Sequence, residues 1–222
     1  MKIVEYADRE MLAMAVADHL VSDLTTALLH HDTVTLAVPG GTSPGPIFDV
    51  LSAVHLDWTR INVMLTDERW VPEGHERSNT TLVKSRLLKN AASEAAFIPF
   101  VDTGAPEDVT AAKSQALQAH LPISVMLLGM GDDMHTASLF PDAPGLEAAL
   151  AEDAPALCVV KPDSQPDTRV SLAGAVIAGA LAKHLVIFGA DKRAALERAA
   201  GLSPLKAPIA VAMTDLTVHW AE

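Results

Sequence analysis

Asp132, Asp133 and His135 stand together directly after Gly129 and Gly131. A carboxylate beside an imidazole fixes its tautomer and favours its charged form, which is what a general acid–base needs. Asp133 and His135 are therefore the candidate catalytic pair. The plainer reading is that His135 is one of nine histidines, most of them surface or capping residues. The pair is also of metal-ligand type, but no second pair at ligand spacing accompanies it, and no metal is assigned. Three other clusters could share the task. Gly40, Gly41, Thr42 and Ser43, between Pro39 and Pro44, combine close backbone approach with hydroxyls and the N–H groups of an incipient helix, which suits an anion. That loop lacks a Walker lysine and a dinucleotide glycine spacing, and it would also serve as an ordinary turn capped by Thr42 or Ser43. Asp67, Glu68 and Arg69, with Ser78 and Asn79 beyond them, follow an apolar run; the plainer reading is a solvated loop. Arg169 and Lys192 could each be a lone solvated cation. With the glycine loop they would complete an anion pocket, Arg as a bidentate fork and Lys as a point charge.

Covalent catalysis finds no support. There is no Gly-x-Ser-x-Gly elbow, and Cys158 sits in the apolar run Ala156 to Val160, where it reads as a small buried hydrophobe. What remains is acid–base chemistry on a phosphorylated small molecule.

The elements that must position these residues are legible as alternating patterns. Apolar, β-branched runs predict strands over 2–6, 33–38, 62–66, 97–101, 123–128, 157–160, 169–172 and 184–188, with extended pieces over 209–213 and 216–220. Helical spacing follows Asp8, a candidate N-cap, through Met11, Leu12, Ala15, Val16, His19, Leu20 and Leu24. Further helices are expected after Pro44, after a cap at Ser78, and over 107–120, 173–180 and 193–200, with a short one within 141–156. Strands alternating with helices through short connections imply an α/β fold, a mostly parallel sheet with helices on both faces. In such a sheet the carboxyl ends of the strands open on one crevice, and all four clusters are expected to meet there. No linker or repeat divides the chain, so residues 1–222 are expected to form a single domain.

Composition narrows the function classes. Half of the residues are hydrophobic and only 4% are aromatic, so Ala, Val, Leu and Ile must build the core. The net charge of −12 argues against nonspecific binding to nucleic acid or to an anionic membrane. An anionic substrate would need local cations to overcome that background. A lone cysteine permits no intrachain disulfide, and the charged start and the lack of a long apolar run suggest neither signal peptide nor membrane span. The expected setting is cytoplasmic, and a monomer is favoured.

The motif Gly129-Met130-Gly131-Asp132-Asp133-Met134-His135-Thr136-Ala137-Ser138-Leu139-Phe140-Pro141 resembles the 6-phosphogluconolactonase signature. Leu65-Thr66-Asp67-Glu68-Arg69-Trp70-Val71-Pro72 with Ser78-Asn79, the glycine loop, and Gly189-Ala190-Asp191-Lys192 follow the same family's order. The resemblance runs from about residue 5 to 220. The glycine loop and the Lys192 segment are shared with the related glucosamine-6-phosphate deaminases, which typically continue the histidine motif with Asn-Glu-Pro where this chain has Ser138-Leu139-Phe140-Pro141. The resemblance implies a modified Rossmann-like sheet, no cofactor, and hydrolysis of 6-phosphoglucono-δ-lactone to 6-phosphogluconate in the oxidative pentose phosphate pathway. It further implies His135 as the acid–base on water, oriented by Asp133. Gly40, Gly41, Thr42, Ser43, Arg169 and Lys192 would then hold the phosphate, and Asp67 and Arg69 would line the sugar side. The alternatives are a sugar-phosphate isomerase or deaminase, or a catalytically silent sugar-phosphate sensor. One position departs from the family: Met134 stands where glycine is usual, which would cost about 1 kcal/mol or more at a positive φ.

Overall fold

The computed structural model describes residues 1–141, 143–163 and 165–222; Asp142, in the segment expected to hold a short helix, and Ser164, in the turn between two expected strands, lie outside them. Seven strands form one sheet in the order β1 (Lys2–Glu5), β10 (Leu216–Ala221), β9 (Ala182–Phe188), β6 (Val125–Leu128), β2 (Val34–Val38), β3 (Ile61–Leu65) and β5 (Ala96–Ile98). Every pairing in it is parallel. All residues of β2 and β6 are buried. Successive strand residues point to opposite faces, so burial of every one means that both faces are covered. Helix α1 (Arg9–Leu28) packs against β2, β6 and β10, while α7 (Gly189–Ala199) packs on β9 and β10. Asp8 caps α1, its carboxylate accepting from the Met11 N–H at 2.7 Å. Leu12, Val16, Leu20 and Leu24 of α1 are fully buried. The helix is long and apolar on average, and that stripe makes it a core helix.

The expected α/β architecture is present, with three differences of detail. The charged triplet is a strand: β4 (Asp67–Arg69) pairs antiparallel with β8 (Arg169–Leu172), which pairs antiparallel with β7 (Leu157–Val160). A small second sheet therefore stands at the end of the large one, and the solvated-loop reading of 67–69 fails because Glu68 is 1% exposed. Arg169 consequently belongs to this second sheet, opposite Arg69. The extended piece expected over 209–213 is instead a short 3-10 helix, Pro208–Ala212. Proline at its first position presets a helical φ and removes one N–H from any ladder. Cys158 is half-buried rather than buried; burial raises its thiol pKa, and its S–H lies 3.6 Å from the Pro155 carbonyl.

A polar chain crosses the β1–β10–β9 edge. Tyr6 Oη lies 2.8 Å from His219 Nδ1, His219 Nε2 lies 3.0 Å from His184 Nδ1, and His184 Nε2 lies 2.7 Å from an Asp23 carboxylate oxygen. One tautomer assignment satisfies all three: Tyr6 donates to His219, His219 to His184, and His184 to Asp23. The exposed His19 ring lies 5.2 Å from that of His219. Burial, then the charges of His184 and His19, push the His219 pKa from 6.5 down to about 3. The unfolded chain takes up a proton at this residue near pH 6.5, and the folded one refuses it until about pH 3. Stability is therefore full above pH 6.5 and falls as pH drops through that window, by up to about 1.4 kcal/mol per pH unit. Urea unfolding at pH 7, 6 and 5 tests this: His219→Asn should flatten the slope, and an unchanged slope would remove the assignment.

Candidate active site

The carboxyl ends of β2, β3, β6 and β9 open on one pocket of about 400 Å³. The loop leaving β6 brings His135 to it through a tight turn, in which the Gly131 N–H donates to the His135 carbonyl at 3.0 Å and the Met134 N–H donates to the Gly131 carbonyl at 3.1 Å. Asp133 Oδ1 lies 2.5 Å from His135 Nδ1 and also accepts from the His135 backbone N–H at 3.1 Å. Burial alone would raise the Asp133 pKa, but the hydrogen bonds and charge of His135 outweigh it and hold the carboxyl below the usual range. With Nδ1–H donated to Asp133, the acceptor lone pair is on Nε2, which has no partner among the described residues. The ring packs tilted against Phe140, with centroids 4.3 Å apart. This is an imidazole held by one nitrogen and presented by the other.

The backbone that presents it is strained. Met134 has φ +67° and Ala137 has φ +50°, a region that L side chains rarely occupy. The condition set by the glycine-to-methionine departure is thus met. Outside bonds keep the loop in place: the Ile209 N–H donates to the Met134 carbonyl at 3.1 Å, and the Thr136 hydroxyl donates to the Gly129 carbonyl at 2.9 Å. Gly131 matters for space: a Cβ there would lie 2.2 Å from His135 Nδ1 and 2.6 Å from Asp133 Oδ1. Gly131→Ala should therefore displace the pair and lower turnover about 100-fold, with little change in thermal unfolding. Steady-state kinetics and a melt measured side by side check it, and near-full turnover would show that the pair tolerates displacement.

On the β3–β4 side the charges are built in. Glu68 accepts from the backbone N–H groups of Arg69 (2.7 Å), Asn79 (2.8 Å) and Thr80 (2.7 Å), and from the Ser78 hydroxyl (3.1 Å). It thereby ties β4 to the N-terminus of α3 (Asn79–Arg86), where Ser78 is the N-cap as expected. Asp67 is 7% exposed; its Oδ2 accepts from the Ser138 hydroxyl at 2.5 Å and lies 3.7 Å from Arg169 Nη1. Arg69 Nη1 donates to the Arg77 carbonyl at 2.9 Å and to Asn79 Oδ1 at 2.6 Å. Arg169 is 6% exposed; burial lowers its pKa, the Asp67 charge opposes that, and Nη2 donates to Gln165 at 3.0 Å.

On the opposite side, Lys192 in the first turn of α7 donates to the Met130 carbonyl at 2.7 Å, and its one acidic partner among the described residues, Asp132, is loose at 3.9 Å. Between the two sides lies the glycine loop. Gly41 has φ +85° with open space where a Cβ would be, a conformation suited to glycine. The following helix α2 (Gly45–Ser52) has Pro44 at its N-cap and no side-chain cap hydrogen bond. The hydroxyls of Thr42 and Ser43 are thus not engaged in capping; the Gly45 N–H donates to the Thr42 carbonyl at 3.3 Å and Pro46 has no N–H, so the loop itself, more than the helix start, offers donors.

The pocket brings together Gly40, Gly41, Ser43 and Lys192 with Asp67, Arg69, His135 and Arg169. Thr42 is exposed and outside its lining, and Asp133 reaches it only through His135. Arg9, Asn79 and Phe188 also line it. Asn79 was visible beside Ser78, whereas Arg9 gave no sequence signal: it lies in the first turn of a helix that reads as core. Among the described residues no three His, Cys, Asp or Glu side chains gather as a metal cluster.

The sequence matches the family described as glucosamine-6-phosphate isomerases/6-phosphogluconolactonase over residues 7–220. The chain belongs to this family. Two relatives named 6-phosphogluconolactonase, from Pseudomonas aeruginosa and Mesorhizobium japonicum, are each 39% identical to it. The first aligns over 94% of this chain and 90% of its own length, the second over 97% and 93%. A crystal structure of a 6-phosphogluconolactonase from Shewanella baltica superposes with a TM-score of 0.94 at 28% identity, covering 100% of this chain and 98% of that one. The family membership expected from the histidine and Asp-Glu-Arg motifs is thereby established.

Proposed function

We propose that the chain hydrolyses 6-phosphoglucono-δ-lactone to 6-phosphogluconate. The observation that carries the reading is the His135–Asp133 pair: one ring nitrogen is tied to a carboxylate and the other is unpartnered, in a pocket whose other walls present a glycine loop and cations. His135 Nε2 takes a proton from water as the water oxygen attacks the lactone carbonyl carbon. The tetrahedral adduct then collapses, the bond from that carbon to the ring oxygen breaks, and the imidazolium returns its proton to the departing ring oxygen. Asp133 orients the ring and stabilises its transient charge. The glycine loop with Ser43, and Lys192, hold the phosphate remote from the reacting carbon, so that binding energy positions the ester. Asp67, fixed by Ser138 and Arg169, faces the sugar hydroxyls, while Arg69 acts through Asn79. No cofactor enters this scheme. We take the working unit as a single domain and a monomer, and place it in the cytoplasm, where the Cys158 thiol stays reduced.

The direct test mixes glucose 6-phosphate, its dehydrogenase and the oxidised nicotinamide co-substrate of that dehydrogenase with this protein, and follows lactone disappearance against the spontaneous rate. Acceleration is expected. No acceleration, together with ammonia release from glucosamine 6-phosphate, would replace the reading with a deaminase.

A further inference from the structure

We propose that Arg9 is the second cation of the phosphate subsite, closing on the phosphate together with Lys192, and that Arg169 belongs to the other end of the pocket. The proposal rests on the lactonase reading and assigns a residue that neither motif nor family signature marks.

Strand order gives the pocket a direction. From β1 and β10 through β9, β6 and β2 to β3, the carboxyl ends present in turn Arg9, Phe188 and Lys192, the histidine loop, the glycine loop, and Asp67. Adjacent strands lie about 4.8 Å apart, so the Arg9 end and the Asp67 end are well separated. His135 belongs toward the Asp67 end. Its ring packs on Phe140, and Arg169 Cζ lies 5.9 Å from the centre of that same Phe140 ring. Lys192 and Arg9 therefore share one flank of the histidine loop, so a phosphate spanning the glycine loop and Lys192 meets Arg9 on its β9 side.

The engagement of each cation points the same way. Arg169 is buried beside Asp67 and bonded to Gln165, and Arg69 is held by Arg77 and Asn79. Arg193, next to Lys192 in sequence, is paired with Glu5 at 2.7 Å and Glu197 at 3.3 Å, and its guanidinium lies over Trp220. Arg9 differs from Arg169 and Arg193 in having no acidic side-chain partner among the described residues. Its Nε donates to the Glu222 backbone oxygen at 2.9 Å, and its guanidinium lies 4.8 Å over the Phe188 ring. These two contacts fix the plane of the fork and leave both Nη groups without a carboxylate partner among the described residues. Of the two acids adjacent in sequence, Asp8 accepts from the Met11 N–H, and Glu10 makes no ion pair with Arg9 among the described residues. A planar guanidinium anchored by Nε and stacked on an aromatic ring is prepared for bidentate binding of phosphate oxygens. In a chain of net charge −12, a second cation on an exposed rim also offsets the field that opposes an incoming anion.

The test compares wild type with Arg9→Ala and Arg9→Lys on 6-phosphoglucono-δ-lactone and on glucono-δ-lactone, and measures binding of inorganic phosphate by calorimetry. Arg9 is exposed, and unchanged melting establishes that the variants fold. For Arg9→Ala the preference for the phosphorylated lactone, as a ratio of kcat/KM values, should fall about 10- to 30-fold. The loss should lie in KM, phosphate affinity should fall in parallel, and Arg9→Lys should recover part of both. A preference within about twofold of wild type, or an equal loss on both lactones, overturns the proposal. Should wild type hydrolyse neither lactone, the lactonase reading fails and calorimetry alone decides: weaker phosphate binding by Arg9→Ala supports the subsite, and equal or absent binding overturns it.

Discussion

Replacing His135 with alanine should lower turnover of the phosphorylated lactone by about two to four orders of magnitude, with KM nearly unchanged. General acid–base catalysis contributes gains of this size, and among the described residues the imidazole is the one group lining the pocket with an unpartnered acceptor nitrogen beside an oriented donor. Asp133→Ala should cost less, roughly 10- to 100-fold, because the ring keeps its position against Phe140 but loses the bond that fixes its tautomer. Single-turnover measurements against the spontaneous rate separate the two. A His135→Ala variant with near-full turnover would leave the pair a structural hydrogen bond and move the base elsewhere in the pocket.

The second large effect is on stability. Glu68→Ala should destabilise the fold by on the order of 3–5 kcal/mol, although Glu68 touches no substrate in the proposed scheme. Its carboxylate accepts three backbone N–H groups and a hydroxyl. Removing it strands several buried donors at once, each worth roughly 1–3 kcal/mol if nothing replaces the acceptor. Water entering the space moderates the sum. Glu68→Gln keeps one good acceptor but turns an amide N–H₂ toward other donors, and should recover only part of the loss. Urea unfolding measures both variants, and a change below about 1 kcal/mol for Glu68→Ala would mean that α3 and β4 do not depend on this carboxylate.

The sequence made the parallel sheet and the histidine motif legible, because buried strands written in Val, Leu and Ile and a glycine break before Asp-Asp-x-His are local signals. The second sheet was not legible. Asp67, Glu68 and Arg69 make a poor strand by composition, and their pairing with Arg169–Leu172 joins residues about a hundred positions apart. What makes three adjacent charges tolerable there is a set of partners, Ser138, Ser78, Asn79 and Arg169, supplied by other elements. The same applies to the cations. Arg169 and Arg9 cannot be ranked from sequence, because what distinguishes them is which other residues already hold each guanidinium.

The positive-φ turn around His135 has a consequence for how this protein should fail. Met134 and Ala137 would relax if the loop were released. What prevents this is a set of tethers to Ile209, Gly129, Ser171 and Asp67, none of which is part of the large sheet's ladder. Loosening them leaves the seven strands paired. Under rising denaturant, inactivation should therefore run ahead of the loss of circular dichroism, and activity serves as the more sensitive gauge of native assembly.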